Sequence, residues 1–137
     1  MPAPTTLVAI QQLFAPLLPG LMGMHLLEVT AERVVAEMPV RPDLCTAGGI
    51  LHGGASMAFA DTLGAVGTFV NLPEGKHTTT TDSSTKFIGA AKVGTTVVGE
   101  CTALHRGRTT MVWQTAIRTA EGKLCAVVTQ TQLVLGD

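Results

Sequence analysis

The chain has 137 residues, of which 46% are hydrophobic and 14% are charged, and its formal net charge is −1 at pH 7. This length predicts one domain, residues 1–137, with a hydrophobic core of its own. The near-neutral charge argues against a nucleic-acid-binding surface.

The N-terminal segment, residues 1–22, is predicted to carry one helix over residues 6–18. Thr5 or Thr6 is the expected N-cap, and Pro19-Gly20 is the expected end. One face should cover a sheet or a neighbouring subunit, because apolar residues recur there at helical spacing. These residues are Leu7, Ile10, Leu13, Phe14 and Leu17.

The next element is predicted to be a strand from about Met24 to Val40. Apolar and polar residues alternate along its second half, which is the period of a half-buried strand. Prolines follow at positions 39 and 42, so residues 41–50 should form a loop.

The least polar stretch of the chain, Gly48 to Val70, reads GGILHGGASMAFADTLGAVGTFV. Nearly every helical face of it is apolar, which predicts a buried central helix over residues 53–70 that begins at Gly53 or Gly54. It is too short to span a membrane, and glycines and an acid interrupt it.

Strands are predicted for the rest of the chain, after a turn at residues 71–75. Their alternating patterns and the turns between them indicate a meander of strands. The order of elements predicts an α+β fold, with an antiparallel sheet wrapped around one helix. The predicted strands are residues 77–88, 95–105, 109–119 and 124–135.

Asp61 is the single carboxylate of the central helix, where desolvation penalises its charged form. One interpretation is a structural acid that is satisfied by a partner such as Thr62. The other is a base or nucleophile. The neighbouring His52-Gly53-Gly54 favours the second, because glycines at a helix start leave N–H groups open to a developing negative charge.

LHGGASMAFADTLGA resembles the signature of the hotdog-fold acyl-CoA thioesterases. The resemblance is greatest to the group that contains the PaaI-type and 4-hydroxybenzoyl-CoA thioesterases. It continues through VGTTVVGECTALHRGRTTMVWQTAIRTAEGKLCAVVTQTQLVL and covers roughly residues 25–135. The resemblance implies a hotdog fold and hydrolysis of an aromatic or medium-sized acyl-CoA to free acid and CoA. CoA is then part of the substrate, and no cofactor is implied.

Helix geometry gives an independent inference about assembly. Gly53 and Asp61 are eight residues apart, which is about 12 Å along a helix. One carbonyl group cannot contact both in the same chain, so if both act, the helices of two subunits must lie antiparallel. Two-fold symmetry then gives two identical sites per dimer. The resemblance implies the same dimer, and often pairs of dimers that form a homotetramer.

The resemblance also implies roles for the residues of the motif. Asp61 would be the general base or nucleophile, and the backbone N–H of Gly53 or Gly54 would polarise the thioester carbonyl. His52 would support this turn, or contact the thioester or its leaving sulfur. The alternative for His52 is a structural histidine that caps the loop.

This chain departs from the family pattern at two positions near the acid. Thr46 stands where the group usually carries Asn or Gln, and Ala65 stands where relatives often carry Ser or Thr. Thr62 is then the only hydroxyl adjacent to the acid, so catalysis could be weaker or the substrate different. Thr80 and Ser84, in the first strand after the helix, are candidate contacts of the acyl group.

Arg106-Gly107-Arg108-Thr109 matches a hairpin that in relatives lies near the CoA nucleotide. Two arginines beside a glycine turn can pair with phosphate groups. The alternative is a pair of solvated turn arginines.

Other constellations are weak. The four histidines lack metal-ligand spacing, so no metal site is predicted. Three cysteines without CxxC spacing predict free thiols, and with no N-terminal cleavage signal they predict a cytoplasmic protein. Cys45 and His52 make a poor nucleophilic pair, and Trp113 is expected to pack in the core. The competing functions are a hotdog hydratase or dehydratase and a non-catalytic acyl-CoA-binding protein.

Overall fold

The fold, given by a computed structural model that describes residues 6–136, is an antiparallel sheet packed on one long helix. Within these residues the sheet has six strands in the order β1-β2-β4-β5-β6-β3. This confirms the predicted α+β architecture with a sheet wrapped around a central helix. The elements are α1 Leu7–Phe14, α2 Leu18–Leu21, β1 His25–Val29, β2 Arg33–Pro39, α3 Gly53–Phe69, β3 His77–Phe87, β4 Thr96–Arg106, β5 Thr110–Thr119 and β6 Leu124–Leu135.

Helix α3 has the predicted start, and its last residue, Phe69, is one residue short of the predicted end. Its sheet-facing side carries Phe59 and Leu63, both with no exposed surface. Gly64 and Gly67 let this side approach the sheet closely. A β-carbon at Gly64 would overlap the amide of a buried glutamine of β6, and one at Gly67 would lie 2.7 Å from the Trp113 ring.

The opposite side of α3 is only half covered. We call it the open stripe, and its members recur every three or four residues along the helix, which places them on one face. The expected burial on every side therefore holds only for the side that faces the sheet. The open stripe consists of Gly54, Met57, Ala58, Asp61, Thr62, Ala65 and Phe69, all exposed or half-buried.

The predicted N-terminal helix is present but shorter than expected. Helix α1 ends at Phe14, and the separate helix α2 begins at Leu18. Pro19 lies in the first turn of α2 rather than ending a helix, because proline has no N–H to lose there and its φ suits a helix start. Thr6, one of the two expected caps, accepts the Ala9 N–H at 3.2 Å; Thr5 lies outside the described residues.

The predicted apolar face of this segment is only partly buried. Ile10 is 1% exposed, and Leu7 and Phe14 pack against the core. Leu13 and Leu17 are 45% and 50% exposed. The face splits because the chain turns between α1 and α2.

The predicted strand from Met24 to Val40 is two strands, β1 and β2, joined by a turn at residues 30–32. Thr30 stabilises this turn, because its hydroxyl accepts the Arg33 N–H at 3.0 Å. The predicted meander holds for β4, β5 and β6, but β3 lies beside β6 at the edge of the sheet. Within residues 6–136, no helix is long and apolar enough to cross a membrane.

Candidate active site

The start of helix α3 is built by His52, Gly53 and Gly54. His52 is the N-cap, with φ −63° and ψ 137°, and its Nδ1 accepts the Gly54 N–H at 2.8 Å. This bond places the proton of a neutral imidazole on Nε2. The Gly53 N–H has no acceptor among residues 6–136. The sequence predicted that the N–H of Gly53 or Gly54 polarises the thioester. The His52 ring accepts the Gly54 N–H, so only the Gly53 N–H is available for this role.

Phe87, the last residue of β3, lies over this helix start. A β-carbon at Gly53 would lie 3.0 Å from the Phe87 Cζ, although 58% of Phe87 is exposed. The side chain thus forms an apolar wall beside the open N–H. Sequence reasoning did not assign Phe87 to the site; the available signal was an aromatic residue at the end of an otherwise polar strand.

Asp61 lies at mid-helix on the open stripe, and the sheet holds one of its carboxylate oxygens. Thr80 donates its hydroxyl proton to Oδ1 at 2.6 Å. Gln130 Nε2 lies 3.2 Å from the main-chain oxygen of Asp61 and 3.4 Å from Oδ1. Oδ2 has no hydrogen-bond partner among the described residues. One oxygen is therefore fixed and the other is open.

Thr62 is not the partner of Asp61, so that expectation is wrong. Its hydroxyl donates to the main-chain oxygen of Ala58 at 2.8 Å. Consecutive residues of a helix point about 100° apart, so Thr62 cannot share the direction of Asp61. The hydroxyl partner comes from the sheet instead, as Thr80.

Two glutamines of β6 complete the surroundings of Asp61, and sequence reasoning missed both. Gln130 and Gln132 have no exposed surface. Gln132 Nε2 donates to the Thr80 hydroxyl at 2.7 Å, and its Oε1 accepts from the Thr78 hydroxyl at 3.0 Å. The available signal was a pair of amides two residues apart in an apolar strand, which places both on one sheet face.

The expectation that Ser84 faces the helix is wrong, and its contact with the acyl group stays a prediction. A bulge interrupts the pairing of β3 with β6 between Thr80 and Asp82. Beyond it Ser83 pairs with Gln130, and Ser84 pairs with Thr129. Directly paired residues share a sheet face, so Ser83 faces α3. The extra residue of a bulge reverses the alternation.

Thr46 and Ala65 lie apart from the carboxylate contacts. Thr46 is in an exposed turn, where its N–H donates to the Ile50 oxygen at 2.8 Å. It makes no hydrogen bond to His52 or Asp61 among residues 6–136. Ala65 follows Asp61 by one turn on the open stripe and supplies no polar atom.

A groove of about 490 Å³, which we call the N-terminal groove, lies beside the start of α3. His52 and Gly54 form its polar edge, and Arg41 and Asp43 form a second polar group. Cys45 also lines the groove, but its thiol donates to the Arg41 oxygen at 3.2 Å rather than pairing with His52. Most of the wall is aliphatic, from Leu18, Leu21, Met22, Leu44, Ala55 and Ala58.

A second concavity of about 580 Å³, the hairpin cleft, lies at the other end of α3 between the β4–β5 turn and Asn71. Arg106 is tied down, because it donates to Asn71 Oδ1 at 3.3 Å and lies 3.6 Å from Glu32 Oε1. Arg108 is exposed and forms no salt bridge within the described residues. Of the two arginines predicted to bind phosphate, Arg106 is therefore held by its neighbours, and Arg108 is available to bind an anion.

The other two residues of this hairpin act through the backbone. The Gly107 N–H donates to the Thr110 oxygen at 2.8 Å, and the Thr109 oxygen accepts the Val134 N–H at 2.8 Å. These bonds fix the turn that presents Arg108. Neither concavity includes Asp61.

The remaining sequence expectations concern buried side chains. Trp113 packs in the core as predicted, with no exposed surface and its Nε1 donating to Thr68 Oγ1 at 2.9 Å. All three cysteines are free thiols. Burial raises the pKa of the Cys101 thiol to about 12, so Cys101 is a packing residue and not a nucleophile.

Comparison with known proteins agrees with this architecture. The thioesterase superfamily model matches residues 48–126. The proofreading thioesterase EntH of Klebsiella pneumoniae is 32% identical over 115 residues, which are 84% of this chain and 83% of that protein. A crystal structure of a Haemophilus influenzae thioesterase, EC 3.1.2.-, superposes with a TM-score of 0.90 at 32% identity over 96% of this chain and 91% of that one.

A Streptococcus mutans structure bound to acetyl CoA has the same fold, with a TM-score of 0.78 at 22% identity over 84% of this chain and 90% of that one. The chain belongs to the thioesterase superfamily, and its fold is the hotdog fold. It is a thioester hydrolase.

Proposed function

We propose that this thioester hydrolase cleaves acyl-CoA with Asp61 as its reacting carboxylate. A difference between the two carboxylate oxygens of Asp61 supports the proposal. Oδ1 accepts hydrogen bonds from the sheet, whereas Oδ2 is open on a half-exposed helix face. A partly buried carboxylate is costly to desolvate unless it is paired or used. Thioester hydrolysis requires an open carboxylate and a free N–H donor, and the chain offers one of each.

Two routes fit this carboxylate. As a general base, Asp61 takes a proton from water while the water oxygen attacks the thioester carbon, and the C–S bond then breaks to release CoA. As a nucleophile, Asp61 attacks the carbon itself, and water opens the resulting mixed anhydride. In both routes the Gly53 N–H stabilises the negative charge that develops on the carbonyl oxygen.

We propose that each site is shared between two subunits. The open stripe and the unpaired outer edge of β3 lie next to each other, since Thr80 of β3 contacts Asp61 of α3. A long strand of eleven residues with a free edge is normally paired or covered. Antiparallel contact of two open stripes would bring Gly53 of each subunit beside Asp61 of the other and complete both sites.

This arrangement assigns the two concavities to one substrate. In antiparallel helices, the start of one α3 and the end of the other lie at the same end of the pair. The N-terminal groove of one subunit and the hairpin cleft of its partner then lie on the same side. The aliphatic groove suits an aromatic or medium-sized acyl group, and Arg108 suits a CoA phosphate.

Three further features belong to the proposal. The LHGGASMAFADTLGA motif supports the PaaI-type subgroup, and that resemblance supports a pair of dimers as the assembly. The three free thiols support a reducing compartment and hence the cytoplasm. Two roles are proposed for His52: it caps α3, and its Nε2–H can donate a hydrogen bond to the thioester.

The test is CoA release from a panel of aromatic and straight-chain acyl-CoAs by the natural protein and by Asp61→Asn. Asparagine keeps the size of Asp61 but can neither accept a proton nor attack. We expect turnover of at least one substrate, and a fall in kcat of about a hundredfold or more in the folded variant. If CoA esters bind without release, the non-catalytic binding protein replaces this proposal. If Asp61→Asn keeps its activity, Asp61 is not the reacting group.

The shared site makes a separate prediction about register. If Gly53 of one subunit lies beside Asp61 of the other, the two helices cross at Met57, halfway between them. Met57 is 39% exposed, so Met57→Cys in a Cys45→Ser background should form a covalent dimer with a short bismaleimide. Val8→Cys is the matched control, because Val8 is 63% exposed on α1. Equal cross-linking of both variants, or none at position 57, would contradict the register.

A further inference from the structure

The two oxygens of the Asp61 carboxylate have different surroundings within one subunit. Oδ1 receives the Thr80 hydroxyl at 2.6 Å and faces Gln130 Nε2 at 3.4 Å. Oδ2 receives no hydrogen bond from residues 6–136. A carboxylate oxygen that accepts hydrogen bonds gives up electron density, so the free oxygen is the more basic and the more nucleophilic of the two.

The direction of the Thr80 proton is fixed by its other neighbour. A hydroxyl has one proton to donate and can also accept. Gln132 Nε2 donates to the Thr80 oxygen at 2.7 Å, so the Thr80 proton points to Asp61.

Gln132 has no exposed surface, and Thr80 sets the orientation of its amide. The Asp61 carboxylate can only accept, so it takes the single Thr80 proton at 2.6 Å, and Gln132 must present Nε2 to the Thr80 oxygen. A reversed amide would present oxygen to Thr80 and compete with Asp61 for the hydroxyl proton. The Gln132 Oε1 then lies 3.0 Å from the Thr78 hydroxyl, which lies equally close to the Leu133 oxygen. The donors Gln132 and Thr80 therefore form a chain that ends at one oxygen of Asp61.

We propose that Thr80 and Gln132 are positioning residues that hold Oδ1 of Asp61 and leave Oδ2 as the oxygen that reacts. This rests on the proposed role of Asp61. Gln132 acts through Thr80, and Thr80 acts through Asp61. Neither residue is required to touch the substrate, which distinguishes this role from the acyl contact predicted for Thr80 by the sequence.

The proposal predicts a change in kcat rather than in KM. Loss of a well-placed hydrogen bond lets the carboxylate turn, and small displacements of a reacting group can cost up to about a hundredfold in rate.

The experiment compares Thr80→Val, Thr80→Ser, Gln132→Met and the double variant Thr80→Val/Gln132→Met on the best acyl-CoA of the panel. Thr80→Val should lower kcat about tenfold or more with KM within about twofold. Thr80→Ser keeps the hydroxyl and should stay within about threefold of the natural protein. Gln132→Met keeps the length without the amide and should lose about fivefold. The double variant should be no slower than Thr80→Val, because both changes act through one hydrogen bond.

The matched control is Thr129→Val, the same substitution on β6, with the side chain on the sheet face opposite Gln130. It should leave kcat and KM unchanged. Circular dichroism and Tm report folding, and if Thr80→Val does not fold, the kcat and KM of Gln132→Met decide.

Several results would overturn the inference. They are an unchanged kcat in Thr80→Val, a defect in Thr80→Ser as large as in Thr80→Val, a change confined to KM, or losses that multiply in the double variant. If Asp61→Asn is inactive while Thr80→Val is normal, only this inference fails. If Asp61→Asn is fully active, the proposed function fails as well.

Discussion

The two sides of helix α3 have opposite relations to the rest of the chain. The sheet-facing side is so close to the strands that a β-carbon at position 64 or 67 would overlap a buried side chain. The open stripe is half-covered and carries the only carboxylate of the helix. The packed side holds the helix in place, whereas the open stripe carries the carboxylate that we propose as the reacting group. The packing of α3 is therefore complete within one chain, and the proposed site is completed by a second one.

The largest expected effect is a loss of kcat from a substitution at the start of helix α3, where the open stripe begins. Gly53→Pro removes an N–H that has no acceptor among residues 6–136, and proline is well tolerated at the first helical position. The preceding His52, at ψ 137°, already has the backbone that proline requires. We expect kcat to fall about a hundredfold or more, as when an oxyanion donor is lost.

Gly53→Ala is the matched control for this change, because it adds the same contact with Phe87 but keeps the N–H. Steady-state kinetics on one acyl-CoA measure both variants. Equal losses in the two would assign the defect to crowding by the added carbon rather than to the missing donor.

The next largest expected effect is a loss of folding stability from a substitution on the sheet-facing side of α3. Gly64→Ala places a methyl group on the buried Gln130 amide, and overpacking of this kind costs about 1–3 kcal/mol. The better helix propensity of alanine offsets about 1 kcal/mol of this cost, so we expect the free energy of unfolding to fall by up to about 2 kcal/mol. Urea unfolding at a fixed protein concentration measures it.

Ala65→Ser is the comparison on the open stripe, one residue further along. A small hydroxyl there meets no packed atom, so the free energy of unfolding should change by less than about 0.5 kcal/mol. Equal destabilisation by Gly64→Ala and Ala65→Ser would remove the distinction between the two sides of the helix.

The smallest effect concerns the thiol of Cys101, which is buried on the inner side of β4. Its pKa is raised from 9.0 to about 12 because burial disfavours the thiolate. The unfolded chain loses this proton above pH 9 while the folded chain keeps it, so stability falls as pH rises from about 9 to 12. Between pH 8 and pH 10 the natural protein should lose about 1 kcal/mol more than Cys101→Ala. Parallel urea titrations test this, and equal losses in the two proteins would contradict it.

The elements that the sequence predicted well are those with strong local signals. The HGG turn and the apolar run defined α3, and period-2 alternation located β4, β5 and β6. The hairpin of β1 and β2 was missed because its turn, Thr30 to Glu32, contains neither glycine nor proline. The edge position of β3 was also missed, because alternation identifies a strand but not its neighbour.

The candidate site residues show the same dependence on local signals. Asp61, His52 and Gly53 lie in one continuous motif, so sequence spacing was enough to name them as candidates. The contact of Thr80 with the acid was not predicted, and Gln130 was not named, because both contacts depend on the pairing of two distant strands. A single bulge, invisible in the alternation of polar residues, turned Ser84 away from the helix.

The central claim is that each site takes Asp61 from one subunit and the Gly53 N–H from the other. Its most direct test is to co-express Asp61→Asn and Gly53→Pro chains with different tags and to purify the mixed dimer. Each variant alone should be nearly inactive. The mixed dimer should recover about half of the natural activity, because one of its two sites then contains both natural residues. If the mixed dimer is as inactive as the two parents, Asp61 and Gly53 do not meet across a subunit interface, and the shared site is wrong.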